Sequence, residues 1–179
     1  MRSLPDTALV REALEVARRA LPAPIVDHSV RTYLLAAAYA KATRRAHDDE
    51  GLCLAAIFHD VGLADKTLPF TYASGAALAR FLEGRAPRAR VTALRDAILF
   101  HMQLFPRWSK GEVAGLLQIG AWMDATGLRR GRIAEEAARI EAEYPRGAFR
   151  RELRKRLLPS ILSPAACLGL VFPAKKEVA

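Results

Sequence analysis

A chain of 179 residues with 51% hydrophobic and 26% charged residues suits one folded domain and excludes the disordered class of low hydrophobicity. No apolar run approaches the roughly 18 residues of a membrane-spanning helix, and Pro5 and Asp6 interrupt the apolar stretch that a signal peptide would need. Cys53 and Cys167 are too few for a disulfide framework. These features predict a soluble, cytoplasmic protein that associates with no membrane.

The formal net charge of +9 and the pI near 10.1 are typical of nucleic-acid-binding proteins. The densest basic cluster lies within residues 150–156, on a predicted helix whose buried stripe would be Phe149, Leu153 and Leu157. No RNA-binding aromatic motif accompanies it, and a charged stripe alone is weak evidence for a binding site. We therefore interpret the charge as a solvated helix face, with no specific nucleic-acid partner, and leave the attraction of an anionic substrate open.

The hydrophobic periodicity of the first half of the chain is that of helices and lacks the alternation typical of strands. Helix boundaries are expected where good capping residues, prolines and glycines stand. The first predicted helix begins near Ser3 and Asp6 and is broken by Pro22 and Pro24. The second begins at Asp27. The third begins at Asp48 and ends at Gly62. A loop over residues 69–74 then precedes a short helix that ends at Gly84.

The second half continues the helical pattern. Pro87 fits the first turn of a helix that runs to His101. Ser109 and Glu112 have the S-x-x-E spacing of a capping box, which predicts a helix start there and an end at Gly127. Two more helices are expected over residues 132–144 and 149–157, before an irregular tail that contains Pro159, Pro164 and Pro173. The predicted fold class is therefore all-α, a single-domain bundle of about seven to eight helices.

Polar side chains occupy inward positions on several of these helices. They are three histidines near helix ends and two carboxylates on apolar faces or beside a histidine, namely His28, His59, Asp60, His101 and Asp124. Buried carboxylates are normally paired or coordinate a metal, because leaving them unpaired is costly. Imidazole nitrogen with carboxylate oxygen suits Zn, Fe, Mn, Ni or Co. Helices that each carry one or two ligands can converge on one ion inside a bundle.

The order of His28, the doublet His59-Asp60 and a distant Asp124 resembles the HD-domain superfamily of metal-dependent hydrolases. Flanking segments are similar to motifs of the cyanamide-hydratase branch of that superfamily: Asp27-His28-Ser29 with Arg31 and Tyr33, Ala55 to Gly62, Gly75 to Leu82, Ala97-Ile98 before His101, and Gly120-Ala121 before Asp124 and Gly127. The resemblance covers about residues 25–127 and implies an HD-domain fold. Residues 128–179 are then a C-terminal helical extension of one domain, 1–179.

The resemblance implies that His28, His59, Asp60 and Asp124 bind one divalent transition metal ion. Four protein ligands would close a tetrahedral zinc site, so we expect a five- or six-coordinate ion with water or substrate completing the shell. Such an ion lowers the pKa of bound water from about 15.7 towards about 7. His101 is expected to transfer protons or contact substrate, with ligation of a second ion left open, and Asp60 is expected to be catalytic as well as a ligand.

Two further residues are candidates for substrate binding. Leu63 stands three residues after Asp60, where several relatives in the superfamily place a residue that serves substrate or chemistry. Arg31 either steers an anion, pairs with Asp27 or has a surface role. The positions of these two side chains in the folded chain decide which role each can have.

These features predict a metal-dependent hydrolase or hydratase that adds water to a small molecule, similar to cyanamide hydratase. One alternative is an HD phosphohydrolase that acts on a nucleotide or another phosphate ester, which the basic charge favours. A second alternative is a regulatory protein that binds a metal without turnover, which the apolar Leu63 favours. The oligomeric state is left open.

Overall fold

The protein is all-helical in a computed structural model that describes residues 3–65 and 69–162, with side chains described up to residue 158. The described ranges contain no strand, as the sequence predicts. The helices are α1 (Ala8–Ala20), α2 (Ala23–Ala42), α3 (Asp49–Phe58), α4 (Phe70–Phe81), α5 (Arg88–Phe100), α6 (Glu112–Thr126), α7 (Ala134–Glu143) and α8 (Phe149–Leu162). Short 3₁₀ turns cover Val61–Ala64, Trp108–Lys110 and Gly131–Ile133.

Three helix boundaries lie where the sequence predicts them, at Asp48, Pro87 and Gly127. The side chain of Asp48 accepts a hydrogen bond from the backbone N–H of Gly51 and caps α3. Pro87 precedes α5 directly, where its missing N–H costs nothing. Gly127 ends α6 in the left-handed conformation, with φ of 80°, which a glycine adopts without strain.

Three predicted helix starts are wrong. Asp27 lies in the second turn of α2, because Pro22 is the N-cap and Pro24 fits the first turn. The first helix begins at Ala8 behind Thr7, whose hydroxyl accepts from the Val10 N–H. The capping box at residues 109–112 does not form, since Gly111 is the N-cap of α6 and the Glu112 carboxylate binds Arg45 at 3.0 Å.

The segment 69–74, predicted to be a loop, is helical from Phe70 onward. Gly62 does not end α3; it lies in the 3₁₀ turn, and its N–H donates to the Ser74 hydroxyl at 2.8 Å. That bond ties the turn to α4, so Ser74 anchors the turn that follows His59 and Asp60. Tertiary contact, absent from local sequence, decides both outcomes.

The last two helices differ from expectation in their limits. Helix α7 is shorter than predicted because its first turn is 3₁₀, and α8 continues past Leu157 to Leu162 with Pro159 inside it. Pro164, Pro173 and Cys167 lie outside the described residues. None of the helices in the described part of the chain has both the length and the apolarity that a bilayer-crossing segment needs.

Helix α2 is the central element, buried around most of its circumference. It packs against α3 and α6 in the N-terminal part of the bundle and against α7 and α8 from the C-terminal part. Its contact with α6 is close because Gly120 faces the backbone of α2. The extension after Gly127 therefore packs on the same core as the motif-bearing helices.

Gly120→Ala should lower the free energy of unfolding by about 1–3 kcal/mol, the usual cost of overpacking a core. A Cβ atom there would lie 2.3 Å from the Thr32 carbonyl oxygen and 2.9 Å from the Ala36 Cβ, so α2 and α6 would have to separate. Urea unfolding measures the loss. Gly131→Ala is the control, because its Cβ would meet nothing within 4 Å; an equal effect of both substitutions would contradict the close helix contact.

Candidate metal centre

Three of the expected site residues meet where the N-terminal part of α2 lies beside the C-terminus of α3. His28 projects from the second turn of α2, His59 caps the C-terminus of α3, and Asp60 starts the 3₁₀ turn that follows. All three side chains are buried, with 3% or less of each residue exposed. The sharp change from α-helix to 3₁₀ turn is what lets two adjacent residues, His59 and Asp60, face the same point.

The ligand atoms of these residues form a compact triangle. The Nε2 atoms of His28 and His59 are 3.2 Å apart. Asp60 Oδ2 lies 3.4 Å from His59 Nε2 and 3.7 Å from His28 Nε2. Because the three atoms all lie within 4.8 Å of one another, they can hold one metal ion.

The hydrogen bonds of the outer ring nitrogens fix which atoms carry protons. His59 Nδ1 lies 2.7 Å from the Ala56 carbonyl oxygen, which only accepts, so Nδ1 carries the hydrogen. His28 Nδ1 lies 2.6 Å from Asp124 Oδ2 and donates to it in the same way. In the neutral rings both Nε2 atoms therefore present lone pairs to each other.

His59 does not supply a proton to the contact between the two Nε2 atoms near pH 7. Burial, followed by the neighbouring His28, lowers the pKa of His59 to about 3, so its ring stays neutral near pH 7. Burial raises the pKa of Asp60, against the opposing effect of His28 and His101, and Asp60 Oδ2 accepts no hydrogen bond within the described structure. The cluster thus brings together three buried atoms that can each donate a lone pair to a cation.

Asp124 does not join this triangle, although the sequence predicts it as a fourth ligand. Its Oδ1 accepts from Arg31 Nε at 2.9 Å, and its Oδ2 accepts from Arg31 Nη2 at 2.9 Å as well as from His28 Nδ1. Burial alone would raise the pKa of Asp124, but the hydrogen bonds from His28 and Arg31 prevail and hold it well below its ordinary value. The carboxylate lies behind His28, paired with a cation of the chain itself.

Arg31 is fully buried and does not face a substrate site, so the predictions that it steers an anion or lies at the surface are wrong. Besides Asp124, its guanidinium donates to the backbone carbonyls of Tyr144 and Pro145, at 3.2 and 3.3 Å. Its partner is therefore not Asp27. The arginine joins the motif-bearing helices to the connection between α7 and α8.

Phe149 is a site residue that sequence analysis assigned only to a buried stripe. Its ring stacks on the His28 imidazole, with centroids 4.4 Å apart and planes 21° apart, and the Arg31 guanidinium lies 5.5 Å from its centroid. The first residue of α8 thus packs against one face of the His28 ring and helps to fix the orientation of that ring. The available signal was the placement of an aromatic residue on the inner side of α8.

His101 lies at the C-terminus of α5, beside the triangle. Its ring is nearly perpendicular to that of His59, with centroids 4.9 Å apart, and Nδ1 donates to the Ile98 carbonyl at 2.6 Å. Burial, and then the neighbouring His59, lowers the pKa of His101 to about 4. A neutral ring with Nε2 left as an acceptor is the form present near pH 7.

A cavity of about 180 Å³ opens beside the triangle. The residues that line it are His28, His59, Asp60, Phe70, His101, Met102, Ala121, Trp122, Ala125, Thr126, Leu153 and Leu157. Leu63, predicted to contact substrate, is buried in the 3₁₀ turn and is not among the lining residues. Of the described residues, those of α8 form part of the wall, so the C-terminal extension helps to shape the cavity.

The triangle meets the requirements of a metal site by its donor chemistry, since two imidazole nitrogens and a carboxylate oxygen suit a divalent transition ion. The identity of that ion and its coordination number are not fixed by this arrangement. Comparison with known proteins adds no family: no protein-family model matches the chain, and no curated protein matches it.

Proposed function

We propose that this chain is a metal-dependent hydrolase or hydratase of the HD-domain type, in which His28, His59 and Asp60 hold one divalent transition metal ion. The observation that carries the proposal is the close approach of two imidazole nitrogens and one carboxylate oxygen, all buried and all able to donate a lone pair to one cation. A buried arrangement of this kind is costly by itself and becomes favourable when a cation occupies it. Three protein ligands also leave coordination positions for water and substrate, which catalytic sites need.

Such an ion, when bound, supplies Lewis acidity towards a water molecule and the substrate. The chain's own residues supply orientation. The Ala56 carbonyl fixes the ring of His59, and Asp124 fixes that of His28, an arrangement typical of histidine ligands in metal sites. We assign Asp124 to this positioning role, with Arg31 holding the carboxylate in place.

His101 is the residue best suited to move a proton in this proposal. It faces the cavity, is neutral near pH 7, and has Nε2 free of the backbone bond that Nδ1 makes. A neutral imidazole beside the reacting groups can accept a proton from water and return it to a leaving group. Asp60 combines its role as ligand with a charge that balances the ion.

The test is turnover by metal-loaded protein on two panels, neutral nitriles and phosphate esters, together with elemental analysis. We expect about one ion per chain and turnover in the wild type, and loss of both in Asp60→Ala. His101→Ala should keep the ion and lose about 10²–10⁴-fold in rate, the usual contribution of a general acid or base. His47→Ala is the matched control, since that histidine binds the Arg45 carbonyl away from the cavity.

Two outcomes would overturn the proposal. Wild-type protein that stays metal-free when supplied with transition ions would remove its basis. A bound ion without turnover on either panel would favour the regulatory alternative, in which the metal has no catalytic task.

A further inference from the structure

We propose that the cavity beside the triangle takes a neutral substrate that carries an apolar group about the size of a benzene ring. This inference rests on the proposed function, because it names the substrate class of that site. The observations behind it are the volume of the cavity, the chemistry of its walls and the direction in which the basic residues of α8 point.

The volume limits the size of the group. The cavity measures about 180 Å³, and an apolar cavity of about 150 Å³ is large enough to bind benzene. A nucleotide, with a base, a sugar and a phosphate, is larger than that space. A single ring or a short branched alkyl group fits it.

The walls favour an apolar and uncharged group. Apart from the three residues of the triangle, the lining consists mainly of carbon-rich side chains: Phe70, Met102, Ala121, Trp122, Ala125, Leu153 and Leu157. Of the described residues, no lysine or arginine lines the cavity. A phosphate could bring an oxygen to the ion, but its other oxygen atoms would lie against these apolar walls, and burying charge in this way is costly.

The basic cluster of the sequence does not supply the missing cation. Arg150, Arg151, Arg154 and Lys155 of α8 are exposed, whereas Leu153 and Leu157 of the same helix line the cavity. The helix thus turns its charge to solvent and its apolar stripe to the site. The net charge of +9 therefore gives no reason to expect an anionic substrate inside the cavity.

Trp122 provides a direct probe, because it lines the cavity and the chain has one other tryptophan, Trp108. Trp108 lies under the Arg45 guanidinium, 3.8 Å from it, and is not part of the lining. The Trp108→Phe variant, metal-loaded, is titrated with benzonitrile and with phenyl phosphate while Trp122 fluorescence is followed. Elemental analysis of the same samples reports the ion separately.

We expect saturable binding of benzonitrile and binding of phenyl phosphate that is at least about 30-fold weaker, the low end of the penalty for an unpaired buried polar group. Leu157→Ala should increase the binding of 2-naphthonitrile relative to benzonitrile by about tenfold, because the second ring fills the space of the deleted atoms. Leu158→Ala, at an exposed neighbouring position, should leave that ratio unchanged.

Tighter binding of phenyl phosphate than of benzonitrile, with the ion present, would overturn the inference and leave the proposed function standing. The same holds if Leu158→Ala changes the size preference as much as Leu157→Ala does. A metal-free protein that still prefers benzonitrile would overturn the proposed function instead, while the preference of the cavity for neutral apolar groups would stand.

Discussion

Binding of a divalent transition metal ion should raise the free energy of unfolding of the wild-type chain by about 4 kcal/mol when the free ion exceeds its Kd about 1,000-fold. Asp60→Asn should lose most of that gain, because an amide oxygen is a weaker and uncharged ligand. In metal-free protein the same substitution should cost little stability or increase it. The reason is that Asp60 Oδ2 is buried without a hydrogen-bond partner within the described structure. The native carboxylate therefore lowers the stability of the fold when no cation is bound.

Urea unfolding with and without Zn²⁺ or Mn²⁺, with a chelator in the metal-free arm, measures both effects. Asp96→Asn is the control, since that carboxylate pairs with Lys110 at a partly exposed position of α5 and should respond to metal as the wild type does. An Asp60→Asn protein stabilised by the ion as strongly as the wild type would contradict the assignment of Asp60 as a ligand. A wild type indifferent to every ion tested would contradict the site itself.

The sequence predicts the helical class because hydrophobic periodicity is a local property that survives in any packing. It predicts helix ends for the same reason at Asp48 and Gly127, where one side chain or one left-handed residue suffices. It fails where a residue has a better partner elsewhere. Glu112 has the spacing of a capping box but binds Arg45, which lies on another part of the chain.

The convergence of His28, His59 and Asp60, which the family resemblance implies and their inward positions allow, is found in the structure. The placement of Asp124 does not follow, because an inward carboxylate indicates that a cation is near without saying which one. The cation is Arg31, three residues after His28 on the same helix, and i to i+3 spacing brings both onto one face. That spacing indicates that Arg31 lies beside His28 and can therefore reach the same carboxylate. The contacts of Arg31 with Tyr144 and Pro145 were not readable, since they depend on how the extension folds back.

Arg31→Met should lower the free energy of unfolding by about 3 kcal/mol, the low end of the cost of breaking a buried pair, because Asp124 loses its main cation and keeps only Arg146, at 3.4 Å, and the hydrogen bond from His28. Both side chains are fully buried and joined by two hydrogen bonds of 2.9 Å, so solvent cannot compensate. Arg90→Met is the matched control. Its partner Asp48 is partly exposed, and loss of such a pair costs about 1 kcal/mol or less.

The double variant Arg31→Met with Asp124→Leu separates the two tasks of the pair. Replacing both charges with apolar side chains of similar volume is often neutral for stability, so the double variant should recover most of what Arg31→Met loses. Metal affinity should fall in the double variant, because Asp124→Leu removes the acceptor of His28 Nδ1, and loss of such a partner weakens binding by about 10–100-fold. Calorimetric titration of the ion measures this directly. Wild-type metal affinity in the double variant would mean that Asp124 serves only the core, whereas a stable protein that binds metal weakly assigns it to the orientation of His28.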